Sequence, residues 1–184
     1  MRSYLSFLLA AFLLMTAFVL PVSAARPGDV AGKYYSTDIV TTLNGAQIDT
    51  INIGDSASVA KTVTETDVYL FAGITGDLNP AHTNEVASAQ TMFKGRIAHG
   101  MLSAGFISAV LGMQLPGPGT IYLGQELKFT KPVRIGDTIT ATATVIEKLD
   151  EKNIIKLETV CTNQNGDVVT KGVATVMPPK APKA

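Results

Sequence analysis

A chain of 184 residues with 46% hydrophobic and 16% charged side chains has room for one domain with a real core, and general disorder is excluded. Fifteen Lys plus Arg balance 15 Asp plus Glu, and the basic residues are scattered, so nothing electrostatic calls for a nucleic-acid partner. The single cysteine, Cys161, excludes an intramolecular disulfide, and the Cys/His spacing of a zinc site is absent.

In chain order, Arg2, the apolar run from Leu5 to Leu20, Pro21 and the small-residue site Val22-Ser23-Ala24 form the pattern of a secretory signal peptide over residues 1–24. An uncleaved membrane anchor, which needs about 20 apolar residues, and a misassigned upstream start are the competing readings. Residues 25–57 are polar and weakly patterned, and are expected to be a linker or extension. A domain is expected over 58–177. The Pro/Lys-rich tail, 178–184, should be an exposed end.

Within the domain, Ser58 to Val63 reads as a strand. Thr64-Glu65-Thr66-Asp67 resembles a capping box opening a helix through Ile74. Gly76 and Asn79-Pro80 interrupt that helix with a turn. Asn79 suits an N-cap and Pro80 a first helical position, which places His82 in the first turn of a new helix. A second helix runs from about His99 to Gly112. It is apolar almost all round, so it is expected to be buried, with small residues that let a sheet wrap closely round it. Pro116-Gly117-Pro118-Gly119 ends it.

Everything beyond Thr120 reads as strand: Ile121 to Phe129, Thr138 to Val145, Ile154 to Thr162 and Val168 to Met177. The second of these alternates strictly, with Ile139, Ala141, Ala143 and Val145 on one face and threonines on the other. Asn165-Gly166 is the two-residue hairpin signal between the last two. One long helix and an antiparallel sheet of about five strands make an α+β domain. Cys161 falls among apolar neighbours, where a buried, inert thiol is expected.

The chemistry concentrates in Thr75-Gly76-Asp77-Leu78-Asn79-Pro80-Ala81-His82. A carboxylate and an imidazole five residues apart, on a short turn with apolar flanks, are what general acid–base work needs. Backbone amides at the start of the helix that follows Asn79 favour a neutral His82 that can accept a proton. Taken alone, such an Asp is usually a turn former and such a His is usually solvated. His99, beside Gly100, reads as structural, orienting the helix start.

Residues Tyr69 to Phe93, then His99 to Gly112, resemble the hydratase-2 motif of the MaoC-like (R)-specific enoyl-CoA hydratases. The match is carried by Thr75, Gly76, Asp77, Asn79, Pro80, His82 and Phe93, and the similarity extends to about Val176. Ala81 stands where that family usually has Leu, Ile or Val, and Ser88 where it usually has Ala. Both are packing positions, so they bear on the shape of an acyl pocket more than on chemistry.

The resemblance implies a hot-dog fold, in which a curved antiparallel sheet wraps a long central helix, and a homodimer with its site near the subunit boundary. It implies reversible syn hydration of a trans-2-enoyl thioester to the (R)-3-hydroxyacyl thioester. Asp77 and His82 would be the catalytic pair, and the Gly100 N–H the donor to the thioester oxygen. Ser108 matches the position of the family's active-site serine. No metal and no redox cofactor is called for, because coenzyme A or an acyl-carrier arm is the substrate's own handle. A carrier-protein dehydratase on the same fold and an exported, non-catalytic acyl- or lipid-binding module are the alternatives. The N-terminal pattern points to export, whereas coenzyme A thioesters point to the cytoplasm. The longer, more specified motif weighs toward the cytoplasm.

Overall fold

The computed structural model describes residues 44–180, so the expected signal segment lies outside the described residues. The first strand, β1 (Ser56–Thr62), is followed by helix α1 (Glu65–Thr75) and by two short helices, α2 (Pro80–Thr83) and α3 (Glu85–Ala89). The long helix α4 (Gly100–Met113) comes next. Four strands complete the domain: β2 (Ile121–Phe129), β3 (Thr138–Leu149), β4 (Ile154–Thr162) and β5 (Val168–Met177). They form one antiparallel sheet in the order β1-β3-β4-β5-β2, with β1 and β2 at its edges. Helix α4 packs against all five strands, which is the hot-dog arrangement. No helix among the described residues is long and apolar enough to cross a membrane.

The core follows from the alternation along β3. Ile139, Ala141, Ala143 and Val145 are fully buried, and the intervening threonines are not. They meet Phe106, Ile107, Val110 and Leu111 of α4, together with Ile155 and Leu157 of β4. Small alanines in the middle of β3 let the helix lie close to the sheet. Cys161 is buried there too, its Sγ 3.7 Å from the Ser103 carbonyl, and burial pushes its pKa up to about 12. A thiol in that environment is a packing group.

Three expectations need correction. Residues 44–57 do not form a free linker: a short 3-10 turn, Ile48–Thr50, leads to Ile51, which is in the core, and β1 already begins at Ser56. At the other end, Pro178 and Pro179 are buried, and Asn153 Nδ2 donates to the Pro178 carbonyl at 2.8 Å, so the exposed end starts later than residue 178. The turn between β4 and β5 spans five residues, Asn163 to Asp167, instead of two. Asn163 Oδ1 accepts from the Asn165 and Asp167 amides (both 3.0 Å) and closes the wider loop.

The capping box at the start of α1 forms as expected. Thr64 Oγ1 accepts from the Asp67 amide at 3.2 Å, and the Asp67 carboxylate accepts from the Thr64 amide at 2.8 Å. Burial alone would raise the Asp67 pKa, but the Thr64 amide, the Lys61 ammonium at 3.0 Å and the Thr64 hydroxyl outweigh it and hold it below the usual carboxylate range. A depressed folded-state pKa means a contribution that is present above the unfolded value and lost as pH falls through the folded one. Asp67→Ala should therefore cost about 1 kcal/mol near neutral pH, the scale of a helix cap. Urea denaturation should show that difference shrinking once the pH drops below the carboxylate range.

Candidate active site

Asp77 and His82 are brought together by one turn, built almost entirely from local hydrogen bonds. Helix α1 ends at Gly76, whose φ of 77° is left-handed and open to glycine at little cost; its N–H donates to the Ala72 carbonyl at 2.9 Å. The Asp77 amide donates to Thr75 Oγ1 at 3.2 Å, and the Asn79 amide to Asp77 Oδ1 at 3.2 Å. Asn79 is extended, as the following proline requires, and its Oδ1 caps α2 by accepting from the Ala81 amide at 3.0 Å. The His82 amide donates to the Asn79 carbonyl at 2.9 Å. The chain thus fixes both side chains within six residues.

His82 is half-buried and Asp77 is 52% exposed, so the pair opens to solvent. His82 Nδ1 lies 2.8 Å from the Ile97 carbonyl oxygen. A carbonyl carries no proton, so Nδ1 holds the hydrogen, and in the neutral ring Nε2 is the nitrogen with the lone pair. The Ile97 amide in turn donates to the Ala81 carbonyl at 3.1 Å. These two bonds dock α2 on the strip leading to α4.

That strip is held by two arginines. Arg96 Nη2 donates to both carboxylate oxygens of Glu65 (2.7 and 2.8 Å), its Nε lies 3.4 Å from Glu85, and its Nη1 donates to the Tyr69 hydroxyl at 3.2 Å. Arg134 donates to the carbonyls of Phe93, Gly95 and Arg96. Ser88, the position that departs from the motif, is buried, with Oγ 2.7 Å from the carbonyls of both Pro80 and Asn84. Its hydroxyl braces α3 against α2, so the substitution adds a bond that an alanine would lack.

Gly100 is the first residue of α4, and its N–H has no acceptor among the described residues, as befits a first helical turn. A Cβ there would come within 2.9 Å of the Phe129 ring, so a glycine keeps this helix start close to β2. Ser108 is not brought to the pair. It lies eight residues on, about 12 Å along the helix axis, and it is exposed. The expectation that α4 is buried on all sides is corrected accordingly: Met101, Gly105 and Ser108 form an open stripe, and Met113 is exposed at the helix end.

His99 departs most from the sequence reading. It occupies the N-cap position of α4 without capping it. Its ring instead reaches into the site, 2% exposed, with Nε2 3.0 Å from the Asp77 carbonyl oxygen and 3.9 Å from Asp77 Oδ2. The rings of His82 and His99, the two histidines of the chain, lie 3.8 Å apart between centroids, tilted by 32°. Asp77, His82 and His99 place potential ligand atoms within 4.8 Å of one another, but His99 Nε2 is already committed to the Asp77 carbonyl. The signal in the sequence was the second histidine itself; the Ile97 carbonyl, being backbone, left none.

Comparison with known proteins agrees with this geometry. Residues 51–166 match the MaoC like domain. The chain is 61% identical over 129 residues to an (R)-specific enoyl-CoA hydratase of Rhodospirillum rubrum, spanning 70% of this chain and 89% of that protein. It is 45% identical over 135 residues to a 3-hydroxybutyryl-CoA dehydratase of Methylorubrum extorquens, covering 73% and 85%. Among solved structures, the R-hydratase PhaJ1 of Pseudomonas aeruginosa superposes with a TM-score of 0.71 at 44% identity, covering 74% of this chain and 88% of that one. With the fold, the turn and the sequence in agreement, the chain belongs to the MaoC-like domain family.

Proposed function

We propose that the protein is an (R)-specific enoyl-CoA hydratase that interconverts trans-2-enoyl and (R)-3-hydroxyacyl thioesters. The observation that carries this is the Asp77–His82 pair on one turn, with polar atoms of the two side chains within 4.8 Å and His82 anchored through Nδ1 on the Ile97 carbonyl. It is supported by 61% identity to a relative named for that activity. One water held by the pair supplies what is added. Its oxygen bonds to C3, one member of the pair takes its proton, and a proton from the pair goes to C2. Both groups reach the double bond from one turn, and so from one face, which accounts for syn addition. The Gly100 N–H and the positive end of α4 take up the charge that develops on the thioester oxygen. Neither a metal nor a redox cofactor enters this scheme.

The protein works as a homodimer in this reading. Edge strand β2 exposes Ile121, Tyr122, Leu123 and Phe129, and the start of α4 approaches it where Gly100 meets the Phe129 ring. An edge strand with these exposed apolar side chains calls for cover, and a second copy with two-fold symmetry supplies it. The dyad's neighbourhood then lies near the subunit boundary, and Ser108 would face the partner.

Chiral analysis of the product tests the assignment. Crotonyl-CoA, or a somewhat longer enoyl-CoA, should yield the (R)-3-hydroxyacyl product with loss of the enoyl absorbance. An (S) product, or no turnover on short to medium chains, would sink it. Turnover confined to carrier-protein thioesters would move the assignment to the dehydratase alternative.

A further inference from the structure

His99 has features that a packing residue does not need. It is almost fully buried, yet its Nδ1 has no hydrogen-bond partner. An apolar side chain of similar size would avoid stranding that atom. The ring packs against Phe71, 4.9 Å away between centroids, and against His82, 3.8 Å away, and it touches both members of the pair. We propose that His99 is a positioning residue for the reaction, holding Asp77 and His82 in register as an uncharged imidazole with its proton on Nε2; this rests on the hydratase reading of the site.

Hydrogen-bond chemistry fixes the tautomer. The Asp77 carbonyl can only accept, so His99 Nε2 carries the hydrogen. A second hydrogen on Nδ1 would be a buried donor with no acceptor, so Nδ1 stays bare. His82 carries its hydrogen on Nδ1, so the neutral ring is the opposite tautomer. The bond from His99 ties the start of α4 to the backbone of the turn that aims the Asp77 carboxylate. The stacked ring covers one face of His82 and restricts its rotation. His82 is then held at two places, by the Ile97 carbonyl at Nδ1 and by His99 against its plane.

Two variants divide these roles. His99→Phe keeps a ring against His82 and removes the donor to Asp77. His99→Gln keeps a donor and removes the ring. In the full-length protein, kcat for an enoyl-CoA should fall by about 10²-fold in His99→Phe, the scale of a small misplacement of catalytic groups, with KM nearly unchanged. His99→Gln should recover part of that loss. Nitrogen NMR of the imidazoles should show hydrogen on Nε2 of His99 and on Nδ1 of His82 in the wild type, and mixed tautomers for His82 in both variants.

A wild-type His99 with hydrogen on Nδ1, or a folded His99→Phe with kcat near the wild-type value, overturns the proposal. A wild type without hydratase turnover on any enoyl-CoA defeats the hydratase reading instead. In that case the nitrogen signals still decide whether His99 orders the pair. Should His99→Phe fail to fold, His99→Gln and the wild-type tautomers decide alone: unchanged kcat and an unchanged His82 signal in His99→Gln would overturn it.

Discussion

Asp77→Asn should lower kcat by about 10²–10⁴-fold while leaving thermal stability close to that of the wild type. The side chain is half exposed on a turn, so no cavity opens, and the asparagine Oδ1 still accepts from the Asn79 amide. What disappears is the negative charge and the capacity to hold and return a proton. His82→Ala should lose a similar factor in rate, but with a measurable fall in melting temperature. It breaks the bond to the Ile97 carbonyl and unstacks His99. Steady-state kinetics and thermal unfolding on the same samples separate the two effects. Near-normal turnover in either variant would make that residue structural and the proposed mechanism wrong.

The largest stability effect is expected at a glycine in the sheet. Gly172 of β5 pairs with Leu127 of β2, and a Cβ there would lie 1.7 Å from the Glu126 carbonyl oxygen. The obstacle is backbone, so no rotamer change relieves it. Gly172→Ala should cost more than the ~1–3 kcal/mol typical of overpacking a core, because the β2–β5 ladder must part locally. Since β2 is also the edge proposed to face a second subunit, light scattering should show a loss of dimer alongside the lowered urea midpoint. A variant with unchanged midpoint and mass would mean that the two strands do not approach so closely.

Where local chemistry dictates structure, the sequence was a good guide. The capping box at Thr64, the turn opened by Gly76, the Asn79 cap with Pro80 behind it and the alternation of β3 all appear where they were expected. Each depends on residues a few positions apart. The misses depend on distant partners. Ile51 is isolated in a polar stretch and becomes core because α4 and the sheet leave room for it. Helix α4 looked uniformly apolar, yet which side of it the sheet leaves open is decided by sheet curvature, which no periodicity records. Helix α3, capped by Asn84, was too short for its pattern to stand out. His99 is read from sequence only as orienting the helix start, because Gly100 follows it, while its partners are 17 and 22 residues away.

The confinement of Asp77 and His82 to a single hexapeptide has a consequence for how the enzyme can change. The backbone spacing between them is a property of a cassette closed by its own amides and by Asn79, while the Ile97 carbonyl and the His99 ring hold the side chains from outside it. The donor for the thioester oxygen belongs to another piece, the start of α4, whose position is set by the whole sheet. Substitutions in the core can therefore leave the cassette intact and still alter turnover by changing its aim on the substrate. Divergence of this scaffold toward longer or bulkier acyl groups could proceed through such shifts of alignment, with the proton-handling unit itself untouched.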